Sequence, residues 1–380
     1  MYVWVIGKAI PTPKNNMYGS FEFEQALMLA RYGLKVIYIG LDFRPIHRWR
    51  KWGMHRKQLE DICGYELDLP IRPIPFFQNK IEQFFCRNLY QKIEQEHGRP
   101  DLIHVHFPAM RSYYIHEEYQ KRGVKIIATE HWTQVQRKEL PRWCSKNLNW
   151  FVENADAFAC VGEPLKKSII EYTGTNRKIK IVPNIINHEF QYIPQEPKGK
   201  FTFIGVGRLV QTKRFDLMIN AFTNAFLAND SVELVIVGGG EKYVNLRKQI
   251  ESLGMEKRIH LLGVLSRAET AKEIQKVDAL ICASNFETFG VPIIEAWACG
   301  KPVIGTDALG FLEHMNEKLG YIVEHDNQPQ MADAMKSLYE RRKQFDPVYI
   351  SKFAVSHFGE NVIANQLITL YKNIMGGETV

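Results

Sequence analysis

The sequence predicts an α/β protein made of two doubly wound, Rossmann-like domains with parallel sheets. Three observations carry this. Short apolar runs alternate with segments of helical periodicity. The alternation occurs twice along the chain, and a proline-bearing stretch without periodicity separates the two series.

The first series has apolar runs at residues 2–6, 35–39, 102–106, 125–129 and 157–161, each with the length and content of a buried strand. Residues 21–32 between the first two carry apolar side chains at helical spacing. Val182-Pro183-Asn184 closes this series, and residues 187–200, with Pro194 and Pro197, read as a linker. The second series has runs at residues 201–206, 233–237, 258–262, 279–283 and 302–306, with a helical pattern at 217–228. Residues 360–375 are amphipathic again through Val362, Ile363, Leu367, Ile368, Leu370 and Tyr371. The expected domains are residues 1–190 and 191–359.

A chain of 380 residues with 45% hydrophobic and 24% charged residues has material for two cores and is not of the disordered class. No run approaches the about 18 apolar residues of a membrane span. The first apolar run ends at Gly7 and reads as a strand rather than a leader, which points to a cytoplasmic protein. The six cysteines, Cys63, Cys86, Cys144, Cys160, Cys282 and Cys299, contain no C-x-x-C pair, which argues against zinc and thiol redox chemistry. Charge is uneven: residues 1–190 hold 28 Lys and Arg against 20 Asp and Glu, whereas the remainder holds 21 against 22. The basic excess suits an anionic partner for the first half alone.

The clearest chemistry lies in the second half. At residues 201–213, FTFIGVGRLVQTK, a buried strand runs into Gly205-Val206-Gly207, Arg208 and, after a turn, Lys213. Glycines let a backbone approach a ligand closely, and two cations at a strand's carboxyl end suit a diphosphate. At residues 284–300, SNFETFGVPIIEAWACG, another strand gives way to a loop and a helix. Pro292 suits the first helical turn and Gly300 its end. Glu287 then stands just before the helix, Thr288, Phe289 and Gly290 offer backbone N–H groups at its start, and Glu295 follows eight positions after Glu287. Two carboxylates flank an anion-binding turn, one placed for sugar hydroxyls and the other for a ribose. The bland reading makes Glu287 an ordinary loop acid and Glu295 a helix-dipole carboxylate.

This segment resembles the E-x7-E signature of family 4 glycosyltransferases, whose fold is GT-B. GRLVQTKRFDLMINAF at residues 207–222, ELVIVGGG at 233–240 and Gly300-Lys301-Pro302-Val303-Ile304 resemble further stretches of that family. The resemblance implies two Rossmann-like domains facing a cleft, with helix 360–376 returning to the first. It implies that Arg208 and Lys213 bind a donor diphosphate beside Gly207, that Glu287 holds the transferred sugar, and that Glu295 holds the ribose. The backbone at Thr288, Phe289 and Gly290 would touch sugar or phosphate. The sequence departs from the family at Thr288, where glycine is common, and at Pro183-Asn184-Ile185-Ile186-Asn187, where the family reads P-N-G-V-D. Leu309-Gly310, with Glu313 following, stands where a double glycine and an acid are usual.

In the first half the resemblance places a glycine loop against donor phosphate. Here that loop contains Gly19, in Asn15-Asn16-Met17-Tyr18-Gly19-Ser20, and helix capping by Ser20 is the competing reading. Thr129-Glu130-His131-Trp132 follows a strand, and the resemblance implies that His131 contacts the donor sugar. His106 ends the strand at 102–106. Residues 43–59, FRPIHRWRKWGMHRKQL, contain no acid but hold Arg44, Arg48, Arg50, Lys51, Arg56 and Lys57 with Trp49 and Trp52. From Arg44 to Lys57 this run suits an anionic membrane surface or a lipid-linked phosphate acceptor, and equally a solvated loop. No nucleic-acid motif accompanies it.

The expected activity is a retaining, metal-independent hexosyl transfer. A nucleotide diphosphate sugar, UDP- or GDP-linked, would be substrate and no cofactor would be required. The acceptor would be a glycan or lipid-linked molecule, as in cell-surface polysaccharide synthesis. There is no plausible D-x-D metal motif, so Arg208, Lys213 and helix N–H groups would stabilise the leaving diphosphate. A nicotinamide dehydrogenase lacks support because Gly7-Lys8-Ala9-Ile10-Pro11 supplies no G-x-G-x-x-G. A nucleotide-sugar hydrolase or epimerase and a non-catalytic sugar-nucleotide-binding subunit remain as alternatives.

Overall fold

A computed structural model describes residues 1–11, 18–44, 51–59, 62–70, 77–196 and 199–377. Asn15, Asn16 and Met17 of the first loop, Arg48, Trp49 and Arg50 of the basic run, and Pro197 lie outside the described residues. The chain divides into two compact units, Met1–Ile185 with Glu360–Val380, and Ile186–Gly359.

The strands of the first unit are β1 (Tyr2–Gly7), β2 (Lys35–Asp42), β3 (Gly53–Leu59), β4 (Ile62–Asp68), β5 (Leu102–His106), β6 (Lys125–Glu130), β7 (Ala157–Cys160) and β8 (Lys180–Ile181). Its helices are α1 (Ser20–Arg31), α2 (Gln78–His97), α3 (Tyr113–Lys121), α4 (Thr133–Gln136), α5 (Arg142–Asn154) and α6 (Glu163–Thr173). Among the described residues the sheet order is β3-β4-β2-β1-β5-β6-β7-β8, parallel except for β3 against β4. The chain builds outward from β1 on one side and then from β5 on the other, so the topological switch lies between β1 and β5, where a ligand crevice is expected. Both faces of the central strands are covered, which is why Val3, Trp4, Val5 and Ile6 are wholly buried in succession.

The second unit has β9 (Phe201–Val206), β10 (Val232–Val237), β11 (Ile259–Gly263), β12 (Ala279–Ile281), β13 (Val303–Thr306) and β14 (Gly320–Val323). Its helices are α7 (Phe215–Phe226), α8 (Tyr243–Ser252), α9 (Arg267–Lys276), α10 (Val291–Ala298), α11 (Gln328–Glu340) and α12 (Pro347–Phe358). The strands pair in parallel in the order β11-β10-β9-β12-β13-β14, with the switch between β9 and β12. Aromatic side chains fill much of the core, among them Phe203, Phe222, Trp297, Phe311 and Phe358.

The last helix, α13 (Glu360–Met375), belongs to the first unit. It buries Ile363, Leu367, Leu370 and Tyr371 in one cluster with Val3, Tyr38, Met28 and Leu102. The helical spacing of those apolar residues creates a stripe that must find a partner surface.

Three local readings need correction. Residues 53–59 form strand β3 rather than a solvated loop, pairing antiparallel with β4 from Gly53 opposite Asp68 to Leu59 opposite Ile62. Exposed and half-buried residues alternate along it, as the pleat of an edge strand requires. Ser20 does not cap α1: Gly19 holds the N-cap with φ 85° and no side-chain cap bond forms. The stretch read as a linker packs on the second unit, where the Gln275 side chain donates to the carbonyls of Glu189 and Gln191 at 3.2 and 3.3 Å.

Candidate active site

In the second unit the switch point brings two loops together. After β9 the chain turns at Gly207, whose N–H donates to the Val237 carbonyl at 3.0 Å, and Leu209 N–H donates to Gly239 O at 3.0 Å. The neighbouring glycines permit this backbone contact, since a side chain on Gly238 would begin 1.8 Å from Gly207 O, and one on Gly240 2.4 Å from Leu209 O. At Gly207 itself a side chain would start in ordinary contact with the Phe215 ring at 3.8 Å and the Lys213 stem at 3.9 Å, so Lys213 lies along this turn. Arg208 is exposed, and Gln211–Lys213 form a single 3-10 turn that carries Lys213.

Lys213 forms an ion pair with Glu287, which lies in the loop after β12. Ser284 Oγ donates to the same carboxylate oxygen at 3.1 Å, while the Ser284 carbonyl accepts from Thr306 Oγ1 at 2.5 Å. Asn285 N–H donates to Thr212 O at 3.0 Å, so the two loops are also joined through backbone. Burial works against the Lys213 ammonium, but Glu287 beside it outweighs that and raises its pKa above the ordinary lysine range. The turn from Thr288 to Gly290 leads into α10, with Gly290 at the N-cap (φ 102°) and Pro292 in the first turn. Gly310 supports this turn from behind: a side chain there would begin 2.2 Å from Thr288 O and 2.7 Å from Phe289 Cα. Phe289 is buried against Phe311 at 4.9 Å.

Glu295 lies deeper, in the second turn of α10, with its side chain only 2% exposed. Its neighbours Ile293, Ile294, Ala296 and Trp297 are wholly buried. A carboxylate in such surroundings requires a charged or hydrogen-bonded partner. Arg267, the first residue of α9, donates from Nη1 to Glu295 Oε1 at 2.5 Å. Its guanidinium also lies over the Phe190 ring, 5.0 Å from the centroid. Sequence reading missed Arg267. Its place was legible, because it follows β11 after three residues and stands inside the capping box formed by Ser266 and Glu269, but its partner was not.

In the first unit the loop after β1 is pinned by buried groups. Lys8 N–H donates to Glu22 Oε1 at 2.9 Å, Ile10 N–H to Glu66 Oε1 at 3.0 Å, and Tyr38 OH to Ala9 O at 2.9 Å. Gly19 closes on the same loop, since a side chain there would begin 2.3 Å from Ala9 O. Beyond β6, His131 Nε2 shares a hydrogen bond with His106 Nδ1 at 2.9 Å, and its ring lies 4.9 Å from that of Phe107. Phe107 has left-handed backbone (φ 56°), and Lys8 Nζ sits 3.5 Å from its ring centroid. Burial pushes the His131 pKa down to about 3, with Lys8 contributing. His131 is therefore a neutral imidazole, one nitrogen a donor and the other an acceptor, with Nε2 engaged by His106 and Nδ1 the remaining polar atom of the ring. Glu130 beside it accepts backbone N–H groups of His131, Trp132 and Ala109, and burial pushes its pKa up to about 7.

The basic run is largely compensated where it is described. Arg44 is paired with Asp42 at 2.6 Å, Lys57 with Glu66 at 2.7 Å, and Arg56 with Glu96 at 3.3 Å. The run contains no acid of its own, but the sheet and α2 bring acids to it. No described helix is long and apolar enough to cross a membrane.

Two doubly wound units, each with its loops at a switch point, define the GT-B class of fold. Solved structures of that class superpose on the whole chain. Sucrose-phosphate synthase from Thermosynechococcus elongatus does so with a TM-score of 0.75 at 16% identity, covering 100% of both chains. Anabaena HepE in complex with UDP gives 0.72 at 17% identity, covering 98% of this chain and 100% of that one. The chain belongs to glycosyltransferase family 4: residues 26–190 match the family described as Glycosyltransferase Family 4, and residues 187–348 match Glycosyl transferases group 1. Among curated relatives, the phosphatidylinositol N-acetylglucosaminyltransferase GPI3 subunit of Saccharomyces cerevisiae is 23% identical over 72% of this chain. That match spans 63% of the yeast protein, less than two thirds of its length. The phosphatidyl-myo-inositol mannosyltransferase of Mycobacterium leprae is 24% identical, over 80% of this chain and 82% of its own. The N-acetyl-alpha-D-glucosaminyl L-malate synthase of Bacillus anthracis is 23% identical, over 72% and 75%.

Proposed function

We propose that this chain transfers a hexosyl group from a UDP- or GDP-linked donor to a glycan or lipid-linked acceptor, with retention of configuration and without a divalent metal. The observation that carries the reading is the pairing of Lys213 with Glu287 where the loops after β9 and β12 meet. A cation for the diphosphate and a carboxylate for the sugar hydroxyls stand next to each other, as the phosphate and sugar of a donor do. As the sugar–phosphate bond breaks, negative charge grows on the leaving diphosphate. Lys213, Arg208 and the backbone of the 288–290 turn are the groups placed to meet it. Attack by the acceptor hydroxyl on the same face as the departing phosphate gives retention, and a donor phosphate oxygen accepts the proton. His131, held neutral, contributes a hydrogen bond to the donor sugar rather than an acid. The names of the yeast and mycobacterial relatives favour a phosphatidylinositol-like lipid acceptor, and that of the Bacillus relative a small polar acid.

The test has two stages. Thermal stabilisation by UDP, GDP, ADP and their sugars selects the donor, since a ligand stabilises the state it binds. Turnover of that donor is then followed in excess chelator, with and without candidate acceptors. Retained turnover that depends on acceptor is expected. Activity lost in chelator and restored by magnesium or manganese would remove the metal-free mechanism, and acceptor-independent release of nucleotide would make the protein a hydrolase. The yeast relative is named as a subunit, which favours a second reading of this chain as a sugar-nucleotide-binding component of an assembly, without catalysis of its own in isolation. Donor binding without turnover on any acceptor would support it.

A further inference from the structure

The assignment of Glu295 to a ribose meets a structural condition. The carboxylate is nearly covered, and the Arg267 guanidinium is a polar group that lies on it, 15% exposed where Glu295 is 2% exposed. We propose that Arg267 and Glu295 recognise the nucleoside ribose as a pair, so that Arg267 is a specificity-determining residue of the donor site. This inference rests on the donor-site reading above and deepens it.

The chemistry of a vicinal diol supports the pairing. A hydroxyl has one proton to give and lone pairs to receive one. A carboxylate accepts only and a guanidinium donates only, so a lone Glu satisfies half of what each ribose hydroxyl offers. With Arg267 Nη1 at 2.5 Å from Glu295 Oε1, a hydroxyl at their edge can donate to one and accept from the other. Such an edge disfavours a nucleoside lacking the hydroxyls, because the pair then loses water at that edge and gains no hydrogen bond in exchange.

The placement of the pair agrees with this use. Arg267 begins α9 after β11, and Glu295 lies on α10 after β12, so both follow carboxyl ends of strands in one parallel sheet. Arg267 is also held in orientation. Its guanidinium lies over Phe190, α9 starts on a complete Ser266–Glu269 capping box, and Gln275 ties the same helix to the carbonyls of Glu189 and Gln191. Those contacts fix a long side chain that otherwise samples many rotamers, and planar guanidinium geometry suits a two-point contact.

The experiment measures binding of UDP and GDP, each against its 2′,3′-dideoxy analogue, to wild type, Arg267→Gln, Arg267→Lys and Glu295→Gln. Wild type should prefer the ribonucleotide. Arg267→Gln should weaken ribonucleotide binding by about tenfold or more, in the range of a lost charge-assisted hydrogen bond, and leave the dideoxy analogue unaffected. Arg267→Lys should restore part of the preference. Equal weakening of both ligands by Arg267→Gln, with the ribose preference of wild type intact, would reduce Arg267 to a scaffold or base contact and overturn the inference. Tighter ribonucleotide binding by Arg267→Gln would also overturn it, by showing that the guanidinium only covers Glu295. The donor-site reading fails separately: wild type would then lack any ribose preference, and Glu295→Gln would change neither ligand.

Discussion

At the scale of single side chains, Lys213 pairs with Glu287 and Glu295 pairs with Arg267, and the proposed function gives the first pair to the phosphate and sugar of a donor and Glu295 to its ribose. Glu287→Ala should therefore lower turnover of the intact nucleotide sugar by about ten- to a hundredfold, the range of a lost hydrogen bond to a charged group. Its effect on affinity for the bare nucleoside diphosphate should be smaller. Glu295→Ala should chiefly weaken the bare nucleotide. Calorimetric titration with the diphosphate beside steady-state kinetics separates the two, and equal effects on nucleotide binding would erase the distinction. The places of Glu287, Lys213 and Arg208 beyond strand ends could be read from sequence because each stands in a short run just after an apolar strand. Arg267 could not be assigned, since its partner is 28 positions away and only packing of α9 beside α10 joins them. The same limit hid the acids of the basic run: Lys57 meets Glu66 across a strand pair and Arg56 meets Glu96 on α2.

At the scale of elements, the turn before α10 depends on the loop after β13. Gly310→Ala places a methyl 2.2 Å from Thr288 O, so backbone must move. Expected outcomes are a stability loss of about 1–3 kcal/mol, the usual cost of overpacking, and a fall in kcat/KM at least tenfold, because the 288–290 backbone shifts. Gly254→Ala is the comparison. Gly254 also has positive φ (64°) but nothing stands within 4 Å of its added methyl. It should lose about 1 kcal/mol from left-handed strain alone, with turnover unchanged. Thermal denaturation and donor kinetics on the two variants decide the matter, and an unaltered kcat/KM for Gly310→Ala would disprove the support role. Most strands were legible as apolar runs, but β3, β4, β8 and β14 were not among them. β3 escapes because an edge strand exposes alternate residues and its basic composition masks the period.

On the scale of the whole molecule, buried histidines set the acid stability. Burial holds His104 and His131 at about 3, His116 at about 4, and His106 well below the ordinary value. In the unfolded chain each takes a proton near 6.5. Their stabilisation is therefore complete above about pH 6.5 and is lost as the pH falls toward the folded values. Glu82 and Glu130, raised to about 7 by burial, act in the opposite sense, favouring the fold most below about 4.5 and losing that contribution as pH rises through 7. Between pH 6 and 4.5 four imidazoles outweigh two carboxyls, so stability should fall on acidification by about 1.4 kcal/mol per pH unit for each net proton. Urea midpoints from pH 7.5 to 4.5 measure this, and His116→Gln should make the slope shallower. A midpoint that stays level over that range would contradict it. By itself the sequence determined the two α/β series and the loops to which the proposed chemistry is given, since periodicity and motif spacing act over a few residues. Tertiary structure alone decided which ends meet. Setting β9 beside β12 joins Lys213 to Glu287 across 74 positions. The apolar stripe of α13 specifies that it must be buried but not against what, and only the packed core shows it lying with Val3, Tyr38 and Leu102 of the first unit.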